Sequence, residues 1–271
     1  VTESELMKED ITFSYQLIDT KFWPDIFACL KNNKQLRKWN LTGLGFDALS
    51  NILEKVGDIV ENSQTLQELD LSNNIISDKF LSSFADSISK SKSLEALILN
   101  NVFLASKNSW TKLITSCQQC KSFHTIKLHT FIDKFTPTLI ELLSKWIQQN
   151  TLKVMHIIAC SIDESDMEML CKSLNTNSSI RELYLNSNFI QNGVCYYLAT
   201  ALSNKSIGIQ TLSLTNCGID DMGVQWLSQA LQINRSVTKL YLNTNGCGDI
   251  CFINIMSSLL FNQTLECLYL S

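Results

Sequence analysis

One nine-residue phrase recurs along almost the whole chain of 271 residues. Its pattern is apolar-x-x-Leu-x-Leu-x-x-Asn, as in Ile180–Asn188 (IRELYLNSN), and a polar turn and an amphipathic helix follow it. The first apolar residues of the copies are Leu36, Leu66, Leu94, Phe123, Leu152, Ile180, Ile209, Val237 and Leu265. Consecutive copies are separated by roughly 28 to 30 residues, and a fixed period of this length indicates a solenoid of stacked repeats.

Each repeat predicts one strand and one helix. Because side chains alternate along a strand, the leucines at positions four and six should point into the core, and positions three, five and seven should point outward. At position nine, Asn188 and Asn245 should turn inward and bond to backbone groups of the turn. Apolar residues at helical spacing follow; in one repeat they are Met222, Val224, Trp226, Leu227 and Leu231. Asp78, Asp166 and Asp221 stand near helix starts, where a carboxylate can cap free amides.

The connection between strands determines the predicted architecture. A strand joined to the next strand through a helix requires a parallel sheet. A helix is wider than the spacing between strands, so the stack should bend with the helices outside. The sequence thus predicts an α/β solenoid, a horseshoe with a parallel concave β-sheet and convex α-helices.

The two ends of the chain depart from the regular pattern. Residues 1–9 are polar and are expected to fray, whereas 10–16 could form a degenerate strand and 21–33 a helix with Pro24 in its first turn. We expect 1–35 to be a lead-in and an atypical repeat that caps the stack. Residues 36–271 then hold eight full repeats and a truncated ninth, which predicts that the sequence is part of a longer protein.

The repeated phrase, its helix and the alternation of two repeat lengths that differ by a single residue resemble the leucine-rich-repeat superfamily, ribonuclease-inhibitor type. The resemblance covers 36–271 and extends to 8–35. It implies the fold and a protein-binding character, but no functional residue, because one fold hosts many unrelated activities. The ribonuclease-inhibitor protein itself alternates two cysteine- and tryptophan-rich repeat types, whereas Asn, Lys and Ile abound here.

Composition narrows the class of partner and the compartment. A net charge of −4 and a pI of about 5.4 argue against nucleic acid, which requires a basic face. No apolar run is long enough for membrane insertion, and the first residues lack a secretory signal. Several of the ten cysteines, such as Cys160 and Cys217, occupy inward slots, which favours reduced thiols and a cytoplasmic location. Four Asn-x-Ser/Thr triplets begin where helices should end, a position that favours Asn without glycosylation: Asn177, Asn204, Asn234 and Asn262.

Three motifs resemble cofactor or metal sites. In each case the position of the residues in the repeats argues against that function. Residues 43–48 match G-x-G-x-x-A, yet every repeat has the same strand–turn–helix layout. Cys117 and Cys120 precede His124 and His129 as zinc ligands would, but the two histidines should face opposite sides of one strand. His129 and His156 should neighbour each other on adjacent strands, beside Lys127, whose ammonium disfavours a bound cation.

Enzymatic activity has no support in the sequence. The chain contains neither a hydrolase elbow, nor a phosphate loop, nor His-Glu-x-x-His. We therefore predict that the protein is not an enzyme, that it uses no cofactor or metal, and that it has no small-molecule substrate.

The positive signal for function is the outward stripe at position five of the repeats. This stripe carries Tyr184, Tyr241 and Tyr269, with His156 beside them. Large aromatic residues on a surface are enriched among binding hot spots, although tyrosine also simply suits a strand. Four flanking residues, Glu182, Lys239, Asn186 and Asn243, could supply a polar rim.

The sequence therefore predicts a non-catalytic protein–protein interaction module. It would bind a protein partner on its concave face as the recognition, sensor or scaffold part of a larger protein. One alternative is a regulator of an enzyme, either a ribonuclease-inhibitor-like inhibitor or a GTPase activator. Another is a bacterial effector that acts in the host cytosol.

Overall fold

The computed structural model describes residues 2, 4–13, 18–44, 50–104, 106–130 and 137–271. The chain forms two compact units, Val1–Ile132 and Asp133–Ser271. In each unit strands and helices alternate along the chain, and the strands pair in parallel. Each unit is an α/β solenoid, as the period of the sequence predicts.

In the first unit, five strands form one parallel sheet in the order β1-β2-β3-β5-β7. The strands of this unit are β1 (Asp10–Thr12), β2 (Lys38–Asn40), β3 (Glu68–Asp70), β4 (Ile75–Ile76), β5 (Ala96–Asn100), β6 (Phe103–Leu104) and β7 (Thr125–His129). Its helices are α1 (Trp23–Asn32), α2 (Ser50–Asn62), α3 (Asp78–Lys90) and α4 (Lys107–Gln119), and a short 3-10 turn at Thr20–Phe22 precedes α1. Strands β4 and β6 pair with each other in the turns between the main strands and the helices.

In the second unit, five strands pair in sequence order. They are β8 (Val154–Ile158), β9 (Glu182–Tyr184), β10 (Thr211–Ser213), β11 (Lys239–Tyr241) and β12 (Cys267–Tyr269). The helices are α5 (Pro137–Gln148), α6 (Glu164–Leu174), α7 (Gln191–Leu202), α8 (Asp221–Ile233) and α9 (Asp249–Leu259). We call the sheet face that points away from the helices the open face.

The leucines of the repeated phrase form the core, as predicted. Leu183 and Leu185 in one repeat and Leu212 and Leu214 in the next are fully or almost fully buried. Leu183 pairs in register with Leu212, so equivalent positions lie side by side across the sheet. Burial of such side chains contributes about 1.5–3 kcal/mol each. The constant period thus sets the same inward face in every repeat.

Buried aromatic side chains pack against one another at the start of the first unit. Phe13, Trp23, Phe27 and Trp39 are buried, and neighbouring ring centroids lie 5.4 to 6.2 Å apart. The predicted fraying of residues 1–9 is wrong around Leu6, which is buried. There the side chain of Asn33 donates hydrogen bonds to the carbonyls of Leu6 and Lys8.

The position-nine asparagines connect consecutive repeats. The Asn188 side chain donates to the carbonyls of Ile157 and Leu185, and its Oδ1 accepts from the N–H of Cys160. Asn245 repeats the arrangement with Leu214, Leu242 and Cys217, and Asn74 uses the same pattern in the first unit. These side chains satisfy backbone groups that the tight turns leave unpaired.

A second set of asparagines binds the repeats together where the helices end. Asn234 donates to the carbonyl of Leu202 in the preceding repeat, and its Oδ1 accepts from the N–H groups of Ser236 and Val237. Asn33, Asn177 and Asn262 have equivalent bonds. Asn177 and Asn234 are buried, so their triplets have a structural reason to contain Asn and Ser.

The predicted helix caps are wrong by one to three positions. The residues that cap α3, α6 and α8 are Ser77, Asp163 and Asp220, each of which precedes the predicted carboxylate. Asp221 instead accepts hydrogen bonds from the N–H groups of Gly248 and Cys251, at the start of the helix in the next repeat.

The apolar spacing of α8 predicts a core position for Met222, and this prediction is also wrong. Met222 is 60% exposed. The first turn of α8, with its cap at Asp220, directs Met222 outward, whereas Val224, Leu227 and Leu231 are buried.

All ten cysteines are free thiols, and Cys160 and Cys217 are buried as predicted. Burial raises the pKa of both Cys171 and Cys217 to about 12. Within the part of the chain that the structure describes, no helix combines the length and the apolar character that a membrane crossing requires.

Candidate partner-binding surface

The residues at position five of the repeated phrase lie on strands β8 to β12 and form one continuous line across the open face of the second unit. Its residues are His156, Tyr184, Ser213, Tyr241 and Tyr269, and we call them the aromatic row. Each pairs in register with the next, so neighbours in the row stand on adjacent strands. The parallel sheet therefore brings together side chains that lie a full repeat apart in the sequence.

The rings of the row form two close pairs. Tyr241 and Tyr269 stack with centroids 4.6 Å apart and an interplanar angle of 4°. His156 and Tyr184 have centroids 4.2 Å apart and rings inclined at 43°. Close aromatic pairs contribute about 0.5–1.5 kcal/mol beyond burial. The row is thus an ordered surface before any partner binds.

Ser213 lies between the two ring pairs. Its position in the repeat predicts an exposed side chain, but Ser213 is buried. It is 2% exposed because its short side chain lies between Tyr184 and Tyr241 in register. The Ser213 hydroxyl donates a 2.7 Å hydrogen bond to Oδ1 of Asn186. An alignment of the repeats on position five would have revealed a small residue between two tyrosines, but not this bond.

The tyrosines themselves are accessible to a partner. Tyr269 is 46% exposed, and Tyr184 and Tyr241 are half-buried. Partial burial, with additional effects of Glu182 and Tyr241, raises the pKa of Tyr184 above its ordinary value. Its hydroxyl is therefore neutral at pH 7 and can both donate and accept hydrogen bonds.

The four predicted rim residues occupy different settings. Glu182 and Lys239 lie at position three, on either side of Thr211 in register, and Lys239 is exposed. Asn186 is already engaged, since its Oδ1 accepts from Ser213 and from the N–H of Thr215. Asn243 is half-buried, and its carbonyl accepts from the N–H of Asn216. The charged pair is therefore better placed to meet a partner than Asn186.

The alternative sites of chemistry find no geometric support among the described residues. Cys117 and Cys120 are buried, and His124 lies 3.3 Å from Glu95. No group of three metal-ligating side chains exists within the described ranges. Most of the G-x-G-x-x-A motif, from Gly45 to Ala48, lies outside the described residues. His129 belongs to the first unit and His156 to the second.

The pKa of His129 is lower than that of an ordinary histidine, as expected for a partly buried residue. Partial burial, and to a lesser extent the ammonium of Lys127, lower its pKa, while Asp70 acts in the opposite direction. This position does not favour a bound cation, because the nearby ammonium of Lys127 repels added positive charge.

Comparison with known proteins identifies the architecture. No family model matches the chain. A solved structure described as the crystal structure of the TLR13–ssRNA13 complex matches over 100% of this chain and 34% of that chain, with a TM-score of 0.54 and 15% identity. The chain is built of leucine-rich repeats. At this level of identity the likeness concerns the fold alone.

Curated leucine-rich-repeat proteins also resemble the chain. One is NACHT, LRR and PYD domains-containing protein 3 of Bos taurus, 24% identical over 202 residues, which covers 74% of this chain and 20% of that protein. Another is NACHT, LRR and PYD domains-containing protein 14 of Homo sapiens, 25% identical over 235 residues, covering 81% and 20%. The chain thus spans about a fifth of the length of these relatives. The names of both relatives include leucine-rich repeats, in agreement with the fold of this chain.

Proposed function

We propose that this leucine-rich-repeat chain binds a protein partner on the open face of its second unit, through the aromatic row. The observation that carries the proposal is the arrangement of the two ring pairs. His156, Tyr184, Tyr241 and Tyr269 stand in register on the open face, outside the buried core. Tyrosine contributes a large contact area at low entropic cost, since only two torsions are fixed on binding.

The surroundings of the row favour a protein over other partners. Glu182 and Lys239 lie on either side of the row's centre, so the charge there is mixed. A mixed rim around an aromatic centre is the common composition of protein interfaces, whereas nucleic acid demands a basic surface. Because the rings already contact each other in pairs, binding would order few additional side chains.

The role in a larger protein is part of the same proposal. The repeat period favours the ribonuclease-inhibitor type, and the similarity to NACHT, LRR and PYD domains-containing proteins favours a recognition or sensor segment that works in the cytoplasm without catalysis. A scaffold or an enzyme regulator would use the same surface. Both of these relatives are mammalian, which gives the bacterial-effector alternative no support.

The test compares three proteins as bait in a pull-down from mammalian cell lysate, followed by mass spectrometry. They are the wild-type chain, the variant Tyr184→Ala/Tyr241→Ala/Tyr269→Ala, and a control variant Tyr196→Ala/Tyr197→Ala. The control removes two tyrosines from helix α7, away from the open face. A protein captured by wild type and control but lost from the triple variant is then purified and titrated against all three.

We expect the triple variant to lose at least tenfold in affinity, since each hot-spot aromatic contributes more than about 1 kcal/mol. Circular dichroism should show an unchanged fold, because none of the three tyrosines belongs to the core. Equal affinity of the folded triple variant and the wild type would overturn the proposal and direct attention to the helical side.

A further inference from the structure

The second unit separates its charges onto two opposite edges. At the edge where the helices begin stand Glu164, Asp220, Asp221 and Asp249, and the segments 154–171, 206–234 and 240–271 contain neither Lys nor Arg. At the edge where the helices end stand Arg181, Lys205 and Arg235, with Glu182 and Glu266 as acids near the starts of β9 and β12. Lys205 lies just after the end of α7, and Arg235 lies just after the end of α8, so both stand where a helix ends.

Each edge also exposes a matched pair of apolar side chains. Met222 and Ile250 lie one repeat apart, at the same place in α8 and α9, and each is 60% exposed. At the other ends of these helices, Ile233 and Phe261 are likewise one repeat apart and about equally exposed. Met222 and Ile233 have a full repeat on either side, so their exposure does not result from a missing neighbour.

Capping explains the positions of Asp220 and Asp221, but it leaves their charge in place. Asp220 caps α8, and the Asn192 side chain and the N–H of Met222 lower the pKa of Asp220. Asp221 caps the start of α9 through Gly248 and Cys251. The edge is therefore negative at neutral pH.

Helix capping does not require apolar side chains at Met222 and Ile250. Both side chains point into solvent, where a polar residue would be equally suitable. A single exposed apolar residue is unremarkable, whereas repeated ones flanked by charges of one sign mark a surface for association.

We propose that the helix-start edge of one copy of this chain binds the helix-end edge of a second copy. Met222 and Ile250 would pack against Ile233 and Phe261, and the acids would face Lys205 and Arg235. The two edges differ, so the contact is heterologous and can continue from copy to copy. A second copy is the partner that presents both the complementary charge and the complementary apolar pair. The contact does not use the aromatic row, so it is independent of the function proposed above.

Self-association of the full chain tests the proposal directly. Sedimentation velocity is measured from low to high micromolar concentration, at low and at high salt. The acid-edge variant is Glu164→Lys/Asp249→Lys and the basic-edge variant is Lys205→Glu/Arg235→Glu. The control Lys55→Glu/Lys121→Glu makes the same change of net charge as the basic-edge variant at exposed lysines of the first unit. Met222→Ser tests the apolar part without altering charge, and circular dichroism verifies each fold.

We expect wild type and control to associate in a concentration-dependent way that weakens with salt, because the facing charges are exposed and screened. Each edge variant should be monomeric, since it would bring like charges together. An equimolar mixture of the two variants should regain association, because the reversed edges complement each other again. Met222→Ser should weaken association at both salt concentrations.

Three outcomes would overturn the proposal. One is a wild-type chain that stays monomeric at the highest concentration and lowest salt. Another is association that survives in both edge variants. The third is a mixture of the folded variants that remains monomeric although each fold is intact.

Discussion

Asn188 Oδ1 accepts a 3.0 Å hydrogen bond from the backbone N–H of Cys160, a residue of the preceding repeat. The same side chain donates to the carbonyl of Ile157, so one amide satisfies a donor and an acceptor that both belong to the repeat before it. Two consecutive repeats are thereby joined by a side chain as well as by the sheet.

Asn188→Ala should lower the free energy of unfolding by about 2 kcal/mol, because it leaves buried backbone groups unpaired. Chemical denaturation with a fluorescence readout measures the loss. Asn243→Ala, at a half-buried outward position, is the matched control and should change stability by less than about 0.5 kcal/mol. Similar losses in the two variants would show that the cross-repeat bonds contribute little.

The strands and the aromatic row could be predicted because they depend only on the period. Once Leu183 is assigned inward, the alternation along β9 places Tyr184 outward, and the constant offset aligns Tyr241 with Tyr269. No detail of packing enters that inference, which explains why it agrees with the structure.

The helix faces were harder to predict, because apolar spacing does not fix the rotation of the first turn. Met222 has the spacing of a core residue relative to Trp226, yet the cap at Asp220 turns it to solvent. The role of Asp221 in capping the next helix, and the burial of Ser213, arise from contacts between repeats that no single repeat encodes.

Gly223 in helix α8 packs against the preceding repeat without room for a side chain. A Cβ there would lie 2.6 Å from Asn192 Oδ1, 2.6 Å from Ile219 Cγ2 and 3.1 Å from Cys195 Sγ. Gly223→Ala should therefore destabilise the protein by about 1–3 kcal/mol, as overpacking does. Gly246→Ala is the control, since its Cβ would find no atom closer than 3.5 Å. Thermal unfolding compares the two, and equal midpoints would contradict the packing argument.

His129 should make stability depend on mildly acidic pH. Burial, followed by Lys127, lowers its folded-state pKa below the ordinary value of 6.5, so the neutral form is favoured on folding. The stability that the protein gains from the neutral form of His129 is fully present above pH 6.5, the ordinary pKa. It is lost as the pH falls through the folded-state pKa. The melting temperature should thus fall between pH 7 and pH 5, and less steeply in His129→Gln.

The control for this effect is His124→Gln, in which His129 is retained. NMR titration of the His129 ring protons provides an independent check, with an expected midpoint below 6.5. A midpoint at or above that value, or an unchanged pH slope in His129→Gln, would contradict the assignment.

The cysteines should separate into two classes of reactivity. Burial raises the pKa of Cys171 and Cys217 to about 12 and that of Cys195 further, so they contain almost no thiolate at neutral pH. Cys29 and Cys267 are only partly buried. Iodoacetamide should therefore label Cys29 and Cys267 in the folded chain and leave the buried three unmodified until denaturant is added. Peptide mass spectrometry over a time course measures each site. Labelling of Cys171 at the rate of Cys29 in the native protein would mean that helix α6 opens to solvent far more often than its packing implies.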